Sequence, residues 1–68
     1  MILIESKWNP ILEKYTHGWL ANDESGITAD FDPNGAAGST IIVISTASTY
    51  IKNADGKWQK VGTTEVVA

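Results

Sequence analysis

The chain has 68 residues, a formal net charge of −3 and no cysteine. This length allows one domain at most, and the lack of cysteine excludes a disulfide staple and a thiolate metal site. Five lysines without any arginine argue against a nucleic-acid binder, which needs clustered basic side chains to displace counterions from phosphates. A single core of this size supplies only roughly 3–5 kcal/mol of stability. We therefore expect oligomerisation, or docking on a larger body, to reinforce the chain.

The N-terminal apolar run is short, because residues 1–4 (MILI) are followed by Glu5. A signal peptide needs an apolar run of about 7–15 residues after a basic start, and a membrane span needs about 20. We expect neither, and no membrane partner. This segment is predicted to be an extended arm.

A short helix is predicted near 10–17. Asn9 can act as a helix N-cap, and Pro10 suits the first helical position. Four apolar or aromatic residues then recur at helical spacing: Ile11, Leu12, Tyr15 and Trp19. Two helical turns are not stable alone in water, so the aromatic side is expected to pack on a sheet or on another chain.

The rest of the chain divides into a polar loop, 21–39, and a β-rich segment, 40–68. The loop is rich in Gly and Asp and contains Pro33. The segment that follows has the composition of a small antiparallel β-meander, with strands near 40–45, 48–53 and 57–61, and a further strand near 64–67 left open. The predicted fold is one mainly β domain in which residues 1–20 form the arm and the short helix.

Two registers are open for the hairpin centred on residues 53–56 (NADG). A type I turn followed by Gly56 in the left-handed region opposes Lys52 to Trp58 and Tyr50 to Lys60. A two-residue turn would shift the register by one residue and move every side chain to the other face. We favour the first register.

In that register one face of the hairpin is aliphatic and the other is aromatic and basic. Ile51 and Val61 share the first face, which is predicted to point inward. The second face, predicted to point outward, carries Tyr50, Lys52, Trp58 and Lys60. Two interpretations of Tyr50 and Trp58 stay open: packing within the chain, or contact with a neighbouring subunit.

Residues 30–35 (DFDPNG) match the first half of an EF-hand calcium loop. Asp30, Asp32 and Asn34 alternate before Gly35, but the twelfth position of the loop, which requires a bidentate Glu, is Ile41. The segment therefore predicts an Asx-rich turn. We expect no metal and no cofactor.

Catalytic motifs are weak. His17 could be combined with Asp23 or Glu24 and a serine, but the sequence has no nucleophile elbow and no phosphate-binding Gly-rich loop. We predict that the chain is not an enzyme. A carbohydrate-binding module that stacks sugars on Tyr50 and Trp58 is an alternative.

Residues 38–62 (GSTIIVISTASTYIKNADGKWQKVG) resemble a recurrent element of small bacteriophage structural proteins, found in head-fibre and head decoration proteins. The element is a Gly-Ser-Thr start, an apolar strand, a Thr-containing turn, an aromatic-aliphatic strand, a polar turn and a Trp. The family often has Asp where this chain has Ser45. The residues that carry the resemblance are Gly38, Ser39, Thr40, Val43, Ile44, Thr46, Tyr50, Ile51, Asn53, Gly56, Trp58 and Val61.

The resemblance implies a virion component that decorates or cements a capsid, usually as a multimer. We expect a capsid decoration or cement protein that clamps neighbouring shell subunits, with a tail or fibre component as the alternative. The expected partners are the major capsid protein or other virion proteins and further copies of the chain, for example in a trimer. The expected location is the virion, assembled in the host cytoplasm. The candidate interface residues are Ile2, Leu3, Ile4, Trp8, Tyr15, Trp19, Tyr50 and Trp58.

Overall fold

The fold is mainly β, as the sequence predicts, and is built on one five-stranded sheet. The computed structural model describes residues 1–67. The strands follow one another across the sheet in chain order, and all neighbours are antiparallel except β2 and β3, which are parallel. The sheet is therefore mixed rather than purely antiparallel. Its elements are β1 (Ile2–Asn9), β2 (Lys14–Ala21), a 3-10 helix (Glu24–Gly26), β3 (Thr40–Val43), β4 (Ser48–Lys52) and β5 (Trp58–Lys60).

The helix predicted near 10–17 is wrong, because this segment is the turn and second strand of a β-hairpin. Asn9 does act as a cap: its Oδ1 accepts the backbone N–H groups of Ile11 (3.0 Å) and Leu12 (3.2 Å). The turn ends at Glu13, whose φ of 53° lies in the left-handed region and reverses the chain. An Asx turn uses the same side-chain cap as a helix N-terminus without continuing into a helix.

The spacing of the aromatic residues misled the helix prediction. Tyr15 and Trp19 are four residues apart, and both lie on the same side of β2 because the side-chain period of a strand is two residues. Residues 1–5 are extended, as predicted, but they form the edge of the sheet and not an arm. Leu3 pairs with Trp19 and Glu5 pairs with Gly18, with a bulge between Leu3 and Glu5.

The second layer of the fold is the loop that connects β2 to β3, residues 22–39, which we call the crossover loop. A parallel pair requires such a crossover of about a dozen residues or more. The loop is tied to the sheet by backbone hydrogen bonds from Ala36 N–H to the Tyr15 carbonyl (2.9 Å) and from Gly38 N–H to the Lys52 carbonyl (2.8 Å). Buried side chains form one core between loop and sheet: Ala21, Ile27, Ile41, Val43, Tyr50 and Trp58.

The hairpin register of β4 and β5 agrees with the favoured prediction. Tyr50 pairs with Lys60 and Lys52 with Trp58, while Gly56 has a φ of 77°. The assignment of its faces is wrong, however. Trp58 is 0% exposed, whereas Ile51 is 38% exposed. The crossover loop covers the aromatic face, so the aliphatic face, including Val61, points to solvent.

The C-terminal segment pairs with β5 without forming a strand. Gln59 and Val66 form an isolated antiparallel bridge, and Val67 N–H donates to the Trp58 carbonyl (2.8 Å). The strand left open near 64–67 is therefore a single bridge. This segment places Val66 on the face of the sheet that the crossover loop leaves uncovered.

Candidate functional site

The calcium-loop-like segment surrounds a hydrogen-bonded carboxylate. Oδ2 of Asp32 accepts from Nδ1 of His17 (2.8 Å) and from Nε1 of Trp19 (3.0 Å). Asp32 has a φ of 51°. Only glycine fits at position 35, because a Cβ there would lie 2.3 Å from Oδ2 of Asp32. The segment fastens the crossover loop to β2.

A lysine ammonium group occupies the inside of this turn. The side chain of Lys52, which is 5% exposed, donates to the carbonyl oxygens of Asp32 and Gly35. Its Nζ also lies 5.4 Å from the ring centroid of Trp58. Burial lowers the pKa of Lys52, and Lys14 lowers it further, while the Asp32 carboxylate opposes the shift. The oxygens that a bound cation would require are thus directed at the chain's own ammonium group.

Residues 30–35 therefore form a structural turn. Gly35 N–H donates to the Asp32 carbonyl (3.1 Å), and Asp30 is exposed. Within residues 1–67, no group of three or more His, Cys, Asp or Glu side chains is placed to hold a metal ion.

The catalytic combinations considered from the sequence are not brought together. The partner of His17 is Asp32, whereas Asp23 accepts from Ser25, which lowers the pKa of Asp23. The buried hydroxyl of Ser39 donates to the Ala36 carbonyl (2.7 Å) and accepts the backbone N–H of His17 (3.1 Å). Its only proton is engaged by a carbonyl, so Ser39 is not paired with an imidazole base.

A cleft of about 480 Å³ opens beside this cluster. It lies between the turn that joins β1 and β2, the crossover loop and the turn that joins β4 and β5. Its walls include Leu12 and Phe31, and its charged lining residues include Lys14 and Asp30. Lys52 also lines it, but two protons of that ammonium group are already donated to carbonyls. The cleft has the size of a small-molecule site, but its buried lysine is already hydrogen-bonded within the chain.

Five of the eight predicted interface residues are exposed on the hairpin of β1 and β2, which we call the N-terminal hairpin. Trp8 and Tyr15 oppose each other across the two strands as an edge-to-face pair with centroids 5.1 Å apart. The two residues are about half exposed, at 49% and 50%. The aliphatic members are exposed to a similar extent: Ile2, Leu3 and Ile4.

The other three predicted interface residues face the chain's own interior. Trp58 is fully buried and its Nε1 donates to the Phe31 carbonyl (2.9 Å). Tyr50 is 7% exposed and donates to Oε2 of Glu24 (3.0 Å), and burial, with this bond, raises the pKa of its phenol. Trp19 packs edge-to-face on Phe31 at 5.0 Å. These rings hold the crossover loop on the sheet, so Tyr50 and Trp58 have no free ring face for a partner or a sugar.

Sequence reasoning missed a second exposed apolar surface, the side of the sheet opposite the crossover loop, which we call the open face. The sequence feature that indicates this face is the apolar run of residues 40–45 (TIIVIS). In this run Ile41 and Val43 are buried, while Ile42 and Ile44 are exposed. Strand alternation assigns the following apolar side chains to this face: Ile2, Ile4, Leu20, Ile42, Ile44, Ile51, Val61 and Val66.

No protein-family model, curated protein sequence or solved structure matches this chain. Across the described residues 1–67, no helix has the length and apolar character needed to cross a membrane.

Proposed function

We propose that this chain is a structural component of a bacteriophage virion, a capsid decoration or cement protein that clamps neighbouring shell subunits. The observation that carries the proposal is the exposure of large apolar and aromatic side chains on the N-terminal hairpin, with Trp8 and Tyr15 about half exposed. Exposed apolar patches of this kind mark interaction sites in soluble proteins. The resemblance of residues 38–62 to small phage structural proteins supplies the kind of partner.

The proposed mechanism is burial of hairpin side chains against the shell. Trp8, Tyr15 and Leu3 lie along strands whose geometry is fixed by the β1–β2 pairing. Little conformational entropy is therefore lost when they dock. A half-exposed aromatic ring that becomes buried loses on the order of 100 Å² of exposed surface, which stabilises the complex by about 2 kcal/mol. Repetition over a symmetric shell adds avidity.

The proposal includes a non-enzymatic role, partners that are the major capsid protein or other virion proteins, and a location in the virion after assembly in the host cytoplasm. The engagement of Ser39, His17 and Asp32 in structural hydrogen bonds supports the non-enzymatic part. Burial of both rings argues against the alternative that Tyr50 and Trp58 bind carbohydrate. A tail or fibre component remains an outcome of the test.

Quantitative mass spectrometry of purified phage particles tests this proposal. The measured quantity is the copy ratio of this chain to the major shell protein. We expect a ratio near one, or a simple fraction of one, because a cement protein follows the shell lattice. A handful of copies per particle would indicate that the chain belongs to the tail or to a vertex of the capsid. Its absence from particles would overturn the virion role.

A further inference from the structure

The open face forms two continuous rows of side chains across the sheet. In the first row, Ile2 neighbours Leu20, which neighbours Ile42, and Thr49 and Val61 follow on β4 and at the end of β5. Ile2, Ile42 and Val61 are 62%, 44% and 55% exposed, respectively. In folded domains, an apolar row of this kind is normally packed against a second layer of secondary structure.

The second row is less apolar than the first and has a shallow centre. It runs from Gly18 to Thr40, then to Ile51, Gln59 and Val66. A Cβ at Gly18 would lie 3.2 Å from Glu5 Cβ and 3.8 Å from both Ile4 Cγ1 and Thr40 Oγ1, so these three side chains surround the glycine on the open face. Small side chains at the centre allow another sheet to approach closely.

The size of the open face fits the smallest class of specific protein interface. Five strands about 4.8 Å apart, with about four residues each at 3.3 Å, cover on the order of 300 Å² in projection. Because side chains corrugate the surface, stacking two such faces buries on the order of 1,000 Å² in total, near the lower limit for a specific interface. The overall dimensions of 33 × 24 × 20 Å agree with a face of this size.

The charges on the open face are compatible with a second copy of the same chain. The chain as a whole carries a net charge of −3, but the charged side chains that β1 places on this side, Glu5 and Lys7, are one acid and one base at the rim. Two copies can therefore stack without like-charge repulsion at the centre. Within residues 1–67, neither Glu5 nor Lys7 forms an ion pair.

We propose that the open face is a dimer interface on which a second copy of this chain stacks, sheet against sheet, to form a two-layered β-sandwich. Each copy supplies the layer that the other lacks, and the sheets lie about 10 Å apart with their strands within about 30° of each other. The N-terminal hairpin keeps Trp8 and Tyr15 exposed, because they lie at its far end on the side of the crossover loop. This inference does not rest on the virion role.

Sedimentation equilibrium of the purified chain tests the dimer. We expect the apparent mass to rise from 7.3 kDa to twice that value between about 1 µM and about 500 µM, the range in which interfaces of marginal size associate. The double variant Ile42→Thr/Ile51→Thr should weaken dimerisation at least tenfold. Threonine keeps the β-branched shape that strands favour, and both positions are exposed in the single chain, so the fold should persist.

Ile11→Thr is the matched control, because it makes the same chemical change at a side chain that is 89% exposed in the turn of the N-terminal hairpin. It should leave the dissociation constant within about twofold of the wild-type value, since an exposed substitution away from an interface changes little. Near-ultraviolet circular dichroism, which reports the buried Trp58, checks that each variant is folded. A wild-type chain that stays monomeric, a trimer without a dimer, or a double variant that dimerises like the wild type would overturn the proposal.

The test of the dimer and the test of the virion role can give independent outcomes. A dimer in solution with no copies in particles would support this inference and reject the proposed function. A monomer in solution with a full complement of copies on particles would support the proposed function and reject this inference.

Discussion

At the scale of single residues, Lys52 and Asp32 show how a small core tolerates charge. Lys52 is buried but donates to two carbonyls of the crossover loop, and the Asp32 carboxylate accepts from two rings. Among the described residues, no buried side-chain nitrogen or oxygen lacks a hydrogen-bond partner. Since an unpaired buried polar group costs about 1–3 kcal/mol, full pairing is needed in a chain whose total stability is of a similar size.

Tyr50 gives a prediction on pH at the same scale. Tyr50→Phe removes the bond to Glu24 and should lower the free energy of unfolding by about 0.5–1.5 kcal/mol at neutral pH. Folding raises the pKa of Tyr50 above its ordinary value of 10.0, so the unfolded chain releases the phenol proton first. The stabilisation that Tyr50 gives the folded chain is fully present below pH 10.0. It is lost as the pH rises from 10.0 through the pKa of Tyr50 in the folded chain.

Urea unfolding followed by tryptophan fluorescence measures this effect at several pH values between about 7 and 11. The stability advantage of the wild type over Tyr50→Phe should shrink above about pH 10. Tyr15→Phe, at a ring that is 50% exposed, is the control and should run parallel to the wild type. An advantage that stays constant across this range would contradict the buried-phenol explanation. Because Lys52 shifts in the opposite sense, only the difference between variants isolates Tyr50.

At the scale of elements, the turns of the β1–β2 and β4–β5 hairpins are stabilised by the same kind of hydrogen bond. Asn9 and Asn53 each accept two backbone N–H groups with Oδ1. The hairpin at residues 53–56 could be predicted to the correct register, because Gly56 in the left-handed region identifies its turn. The hairpin at residues 10–13 could not, because Asn9 and Pro10 begin a helix and an Asx turn equally well.

Asn53 yields the prediction at this scale. Asn53→Ala leaves the N–H groups of Asp55 and Lys57 without their acceptor, so we expect the free energy of unfolding to fall by about 1–2 kcal/mol. Asn53→Asp keeps the acceptor oxygen and should lose less than half as much. Urea midpoints at neutral pH measure both variants. Equal losses in the two would mean that the amide donation to Gln59, and not the turn, is what stabilises this hairpin.

At the scale of the whole molecule, the core depends on one side chain that joins both layers. Trp58 is fully buried, and its ring centroid lies 6.1 Å from that of Phe31. Nε1 of Trp58 donates to the backbone carbonyl of Phe31. The crossover loop has little other large apolar surface, since Ile27 is its main buried aliphatic residue. Loss of this ring should therefore release the loop from the sheet.

Trp58→Ala should unfold the chain. The expected loss of about 3–5 kcal/mol is as large as the roughly 3–5 kcal/mol that a core of this size supplies. Trp8→Ala is the matched control: it removes an edge-to-face pair worth about 0.5–1.5 kcal/mol beyond its contact area, at a half-exposed position, and should stay folded. Amide chemical-shift dispersion in NMR spectra distinguishes the two outcomes. A well-dispersed spectrum for Trp58→Ala would show that the loop and sheet do not depend on this ring.

The sequence by itself determined the mainly β class, the strands of the C-terminal meander and the register of their hairpin, because these depend on local turn chemistry and composition. Only the tertiary structure decided which face of the sheet is buried. Alternation separates Ile51 from Trp58 but does not say which side is covered, and that choice depends on the path of residues 22–39. The parallel pairing of β2 with β3 is likewise non-local, since it joins strands separated by the whole crossover loop. The same path leaves Ile42 and its neighbours exposed, which is why the open face emerged only from the assembled fold.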